Sequence, residues 1–399
     1  MKTFKITLLL QVVIAIVLAI ILGLFIPLPI AKIFVTFNAI FANFLTFAIP
    51  LIIIGLVTPA ISDIGKGAGR LLLITTVIAY GSTLFSGFFT YFSSMLTYPH
   101  IIETGIAEQF TGNDAAETLK PYFTIDMPAP VEVMTALLIA FCCGIGLSLI
   151  HGDTLKKCFS DFGEIITIII NKVIIPLLPL HIFGIFLNMT ISGQAISIIS
   201  LFLKVVIVII VLHVLLLLIQ FTVAGIIARK NPLKLLATML PAYATALGSQ
   251  SSAATIPVTL AQTRKNGVSE NVASFVIPLC ATIHLAGSTM KIVACTLAVM
   301  FMLDMPINFT DYSGFILMLG ITMVAAPGVP GGAVMAALGI IEGMLGFDET
   351  MQAIIIAIYI ALDGFGTACN ITGDGAIAVV MDKIAGNKKV HSPRTTDES

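Results

Sequence analysis

Apolar runs of membrane-crossing length fill the first 228 positions of the chain, each closed by a short charged or glycine-bearing stretch. The runs near 5–27, 34–60, 70–96, 129–151, 162–189 and 196–228 are long enough to traverse about 30 Å of hydrocarbon as helices. Six crossings are predicted from them. After Arg229 the rhythm changes: 235–262, 271–303, 313–346 and 351–385 stay apolar but are interrupted by Gly, Ser, Thr, Asn and Pro. Helices broken inside the membrane are predicted there, since irregular backbone at that depth survives only when buried in protein or beside a wet cavity.

Charge assigns sides to this pattern, because Lys and Arg gather in cytoplasmic loops. Lys2 and Lys5, Lys66 and Arg70, Lys156 and Lys157, Arg229 to Lys234, Arg264 and Lys265, and the tail from Lys383 to Arg394 are placed inside. The acidic stretch with Glu103, Glu108, Asp114, Glu117 and Asp126 is placed outside. Basic clusters then lie on both sides of 235–262, so that segment enters and leaves by one face: a re-entrant hairpin with Ser-rich "SQSSAATIP" at its tip. Acidic loops at 304–312 and 347–350 make 313–346 a second hairpin of opposite entry, with "AAPGVPGGA" at its tip. The prediction is an all-α membrane protein of eight transmembrane helices plus two opposed hairpins, with both termini cytoplasmic.

Each hairpin is followed by a crossing helix with a polar middle, so 235–303 and 313–385 read as inverted repeats, which place solute and ion sites at the midplane. The polar middles are "TIHLAGST" (282–289) and "LDGFGTACNITGD" (362–374). In the second, Asp363, Thr367, Asn370 and Asp374 recur at four, three and four residues, one face of a helix. Carboxylates at membrane depth are costly and point to function. Asp363 and Asp374 suit a cation or an ammonium group; Thr367 and Asn370 suit either end of a zwitterion.

Composition agrees and excludes rivals. The 399 residues are 58% hydrophobic and only 10% charged, against about a quarter charged in soluble domains. A net charge of −1 without a basic patch argues against a nucleic-acid partner. The six cysteines lack metal-ligand spacing and read as small apolar residues. Ser251, His284 and Asp363 invite comparison with a hydrolase, but "GSQSS" lacks the glycine spacing of a nucleophile elbow. No enzymatic activity is expected. Re-entrant hairpins also build channels, yet here two unlike hairpins face each other within one chain.

In the order of its parts, six spans, a serine-rich inward hairpin, an interrupted helix, a "GVPGG" outward hairpin and a final helix with "NITGD", the chain resembles the dicarboxylate/amino acid:cation symporters. The resemblance implies a homotrimer in the cytoplasmic membrane, with a scaffold (34–96 and 129–228 by order of segments) holding a transport domain that moves like an elevator. Its divisions are 1–228, mainly scaffold and trimer contact; 229–386, the transport core; and 387–399, a cytoplasmic tail. It implies solute contacts at Ser251, Ser252, Gly328, Val329, Pro330, Asp363, Gly366, Thr367 and Asn370, with Asp363 on the solute's amino group.

Two departures bear on the cargo. The family's arginine, which selects acidic side chains, falls on Gly366, so a small neutral amino acid such as serine, threonine or alanine is expected, the alternative being acidic amino acids or C4-dicarboxylates, with proton coupling as an option for them. The family's Asn-Met-Asp-Gly-Thr reads His284-Leu285-Ala286-Gly287-Ser288, so one anionic sodium ligand is missing at Ala286. One or two sodium ions and no organic cofactor are expected: one ion near Thr282, His284, Asn370 and Asp374, a second on backbone around Ala325 and Gly364. His284 and Lys291 are candidates for a coupling charge; the plainer expectation has Lys291 reaching toward the outer surface and His284 bonded to backbone.

Overall fold

The computed structural model describes residues 8–65, 70–102, 119–193, 195–326 and 331–386, and every regular element among them is helical. The first part of the chain forms α1 (Leu8–Gly23), α2 (Leu28–Gly65), α3 (Arg70–Ile101), α4 (Val133–Leu149), α5 (Thr154–Ile169), α6 (Ile175–Ile191) and α7 (Ala195–Ala228). Helices α5 and α6 are one span joined by a π-helical turn over Ile170–Ile174. At Pro176 the hydrogen-bond ladder has shifted register just before a residue with no N–H to give.

The second part is α8 (Pro232–Ser249), α9 (Ser252–Lys265), α10 (Glu270–Ile283), α11 (Ala286–Met302), α12 (Phe309–Val324), α13 (Gly332–Leu345), α14 (Glu349–Ala361) and α15 (Asp363–Gly386). Local chemistry sets these boundaries. The Asn231 side chain accepts from the backbone of Leu233 and Lys234, with Pro232 at the first turn, so α8 starts there. It stops at Gln250, whose φ of 53° is left-handed, and the Ser251 side chain caps α9 by accepting from the backbone N–H of Ala254. Gly331, at φ 75°, opens α13, a conformation glycine adopts at little steric cost.

Hairpins α8–α9 and α12–α13 are thus each followed by a helix broken at a short irregular step: His284–Leu285 between α10 and α11, and Leu362 between α14 and α15, which bend by 61°. The second break is narrower than "LDGFGTACNITGD" suggests, since Asp363 onward is regular helix. Lys2, Lys5, Lys66, the acidic stretch 103–118, the tail beyond 386 and the tip residues Gly328, Val329 and Pro330 lie outside the described residues.

Among the described residues, five helices are long and apolar enough to cross a membrane: Leu28–Pro59, Leu71–Ile101, Thr154–Ile191, Ile199–Ala228 and Glu270–Met302, with the bent pair from Glu349 to Gly386 as a sixth. Helices α1 and α4, expected as crossings, are shorter in their described lengths. Large apolar side chains such as Leu203, Ile207, Val211 and Val214 stand exposed along one side of α7. Such a surface suits lipid and not water. The protein is embedded in a membrane.

Packing divides the helices into two groups. Helices α1, α2, α4, α5 and α6 pack on one another, whereas α3 and α7 pack on the second part of the chain, against α11 and α15 respectively. This differs from the grouping by chain order, which puts α3 and α7 with the scaffold. The physical reason is polar bonding within an apolar body: Ser86 donates to the carbonyl of Ala286 at 2.6 Å and Tyr98 to that of Ala294 at 2.9 Å, fixing α3 along α11. A cavity of about 510 Å³, lined in part by Asn38, His181, Asp348 and Glu349, lies between the groups at α2, α6 and the start of α14.

Candidate solute and cation site

Helix α11 is buried from Ala286 to Met300, and α15 lies along it. Close approach is possible because Gly287 has no side chain: a Cβ there would stand 2.6 Å from Cys369 Cβ and 2.7 Å from the carbonyl oxygen of Gly366. The polar face of α15 therefore looks into protein and not lipid. Asp363, Thr367, Asn370 and Asp374 are all buried, and each finds partners.

Asp363 stands at the first turn of α15, where the helix dipole favours a negative charge. One carboxylate oxygen is 3.1 Å from Lys291 Nζ and the other accepts the backbone N–H of Gly331 at 2.8 Å. Lys291 was expected to extend toward the outer surface; it is instead fully buried. Its ammonium also reaches the carbonyl of Leu362 at 3.4 Å and lies 3.5 Å from the ring centroid of Tyr359, a cation–π contact. The reason is room and charge together. A Cβ on Gly366 would come within 2.3 Å of Lys291 Cε, so the missing side chain at 366 is the space the lysine fills. Thr367 spends its hydroxyl on the carbonyl of Asp363.

Asn370 staples the two helices. Its side-chain oxygen accepts from the backbone N–H of Gly287 at 2.8 Å and of Ser288 at 3.4 Å, and its amide donates to Ser288 Oγ at 3.1 Å. Asp374, one turn further, is paired with His284 Nδ1 at 2.9 Å, and His284 Nε2 meets Ser82 Oγ at 3.0 Å. His284 is therefore held by side chains and not by backbone. Gln220 of α7 donates to the same Ser82 hydroxyl at 3.1 Å. Gly373 makes space for this chain, since a Cβ there would stand 2.8 Å from both Gln220 Oε1 and His284 Cε1.

The hairpins close the site from two directions. Gly331 brings the start of α13 in the second hairpin onto Asp363. From the other side α8 and α9 pack on α15, and Gly364 admits the carbonyl of Leu247, which a Cβ would meet at 2.6 Å. Ser251 and Ser252 are half-buried at the turn between α8 and α9; Ser251 is occupied as a cap, and Ser249 and Thr255 bond across the turn at 3.2 Å.

As cation ligands the named residues divide. Asp374 keeps one buried carboxylate oxygen with no protein partner, which fits an ion. The Asn370 oxygen already accepts two backbone N–H groups, which leaves it no lone pair for an ion, whereas the Thr282 hydroxyl donates to the carbonyl of Leu279 on its own helix, keeps its oxygen lone pairs and stands exposed. Ala325 ends α12 with its N–H bonded to Thr322. Sequence reasoning passed over Ser82, Gln220, Ser288 and Tyr359. Ser82 and Gln220 had a signal, being polar residues in strongly apolar runs.

Two hairpins, two broken helices and a buried charged face thus lie within one lipid-facing helical body, and the family match makes it a membrane transporter. The chain belongs to the sodium:dicarboxylate symporter family, whose model matches residues 8–384. It is similar to the serine/threonine transporter SstT of Acinetobacter baumannii strains AYE and AB307-0294, being 25% identical to each over 361 residues, which cover 87% of this chain and 89% of each relative.

Proposed function

We propose that this protein is a sodium-coupled symporter of a small neutral amino acid of serine, threonine or alanine size. The observation that carries the reading is the charge balance around Asp363. Lys291 cancels that carboxylate and Gly366 brings no further cation. A zwitterion leaves the buried site as balanced as it was, whereas an added carboxylate without a partner is expensive. The names of the serine/threonine relatives support the same solute class.

In this reading the solute ammonium goes to Asp363, and its carboxylate to the inward tip at Ser251 and Ser252 beside Thr367 and Asn370. The outward tip at Gly328, Val329 and Pro330 covers it. One sodium ion uses the free oxygen of Asp374 with carbonyls near Thr282 and His284, and a second backbone site near Ala325 and Gly364 is the upper limit. Alternating access is by an elevator movement within a homotrimer spanning the membrane eight times with both termini cytoplasmic. The moving body comprises α3, α7 and 232–386, and the static one α1, α2 and α4 to α6.

One observation favours a second reading: Lys291 places an ammonium beside Gly366, where a distal carboxylate of an acidic amino acid or C4-dicarboxylate would need it. Such a solute must share that ammonium with Asp363 and bring a further cation or proton. Melting of the purified protein separates the two, because a ligand of the native state raises Tm. Serine, threonine or alanine should raise Tm in sodium and not in choline, and succinate and aspartate should not. A rise with succinate alone would reverse the assignment.

A further inference from the structure

Lys291 is the only buried Lys or Arg side chain among the described residues, and it sits on the carboxylate assigned to the solute's ammonium. Both oxygens of Asp363 are thereby met by the protein's own groups: Nζ of Lys291 at 3.1 Å on one, the N–H of Gly331 at 2.8 Å on the other. Gly331 opens α13, the second arm of the outward hairpin, so one carboxylate ties together the middle of α11, the start of α15 and the hairpin end. A carboxylate buried without a counter-charge is strongly unfavourable in hydrocarbon surroundings. A carrier whose only counter-charge for Asp363 came from its solute would have to stay loaded to keep this cage closed.

We propose that Lys291 is a resident ammonium that stands in for the solute's own on Asp363, so that the outward hairpin closes over an empty cage and the unloaded carrier returns across the membrane. The protein then performs net uptake and not obligatory exchange. This rests on the assignment of Asp363 to the solute ammonium. On loading, the solute displaces Nζ from Asp363, while the Tyr359 ring and the Leu362 carbonyl keep the lysine's charge in contact. The stem stays in the space above Gly366, which fixes how far the ammonium can withdraw.

The test compares two modes in liposomes carrying the full-length protein under a sodium gradient: net uptake of labelled serine into empty vesicles, and exchange against serine loaded inside. Wild type should show both. Lys291→Met and Lys291→Gln should slow net uptake at least about tenfold relative to exchange. Equal loss of both modes, no change in either, or exchange without net uptake in the wild type would overturn the proposal. Hydrogen exchange on solute-free wild type covers the case in which neither variant folds: the first turns of α13 should be protected, and amides exchanging as an open segment would overturn it. If the wild type moves no neutral amino acid in either mode, the solute assignment fails, while protection of α13 still decides whether the empty cage is latched.

Discussion

At residue scale both buried carboxylates of the last helix are met by the chain's own side chains. Lys291–Asp363 and His284–Asp374 pair the two buried carboxylates of α15 with side chains of α11 and of the break before it. The space at Gly366 belongs to Lys291, so Gly366→Arg alone should not create an acidic-solute transporter. The arginine meets the lysine stem, and overpacking of this kind costs about 1–3 kcal/mol. Gly366→Arg combined with Lys291→Ala removes the clash and keeps one buried cation. The double variant should gain aspartate uptake, read with labelled aspartate in the same vesicles, while the single variant should lose serine uptake without that gain. The aspartates themselves are legible in the sequence, because two carboxylates in an apolar run at helical spacing demand an explanation. Their partners are not: Lys291 and His284 lie 72 and 90 residues away, and only tertiary packing decides between ion pair and snorkelling.

At the scale of elements, the hairpins and the broken helices follow from polar interruptions set against side-assigning charges. The interruptions mislead where glycine serves packing and not a break. From Asp363 to Asp374 the chain is continuous helix, because Gly364, Gly366 and Gly373 each admit a neighbouring group, respectively the Leu247 carbonyl, the Lys291 stem, and Gln220 with His284. Gly287 is the sharpest case. Gly287→Ala drives a methyl group onto Cys369 Cβ and the Gly366 carbonyl, forces α11 from α15 and strains the Asn370 staple. A loss of about 1–3 kcal/mol is expected, read as a lower Tm in detergent, with serine no longer raising it. Gly346→Ala, with open space around it but a φ of 70°, should cost only about 1 kcal/mol and leave the serine response intact.

For the whole molecule, the sequence carries the membrane class and the order of parts, both of which depend on hydropathy and polar interruptions along the chain. The grouping of helices is a different matter. That α3 sides with the second half rests on single hydroxyl contacts, Ser82, Ser86 and Tyr98, whose partners lie 196 to 202 residues away, while α7 packs on α15 and is tied to α3 by Gln220 on Ser82. The central claim is that this assembly cages a zwitterion and carries it with sodium. Its most direct measurement is uptake of labelled serine by liposomes holding the purified protein, with and without an inward sodium gradient, beside Asp363→Asn. The account predicts saturable accumulation that vanishes without the gradient and is abolished by Asp363→Asn. Undiminished serine accumulation by that variant, or solute-independent current in place of accumulation, would contradict it.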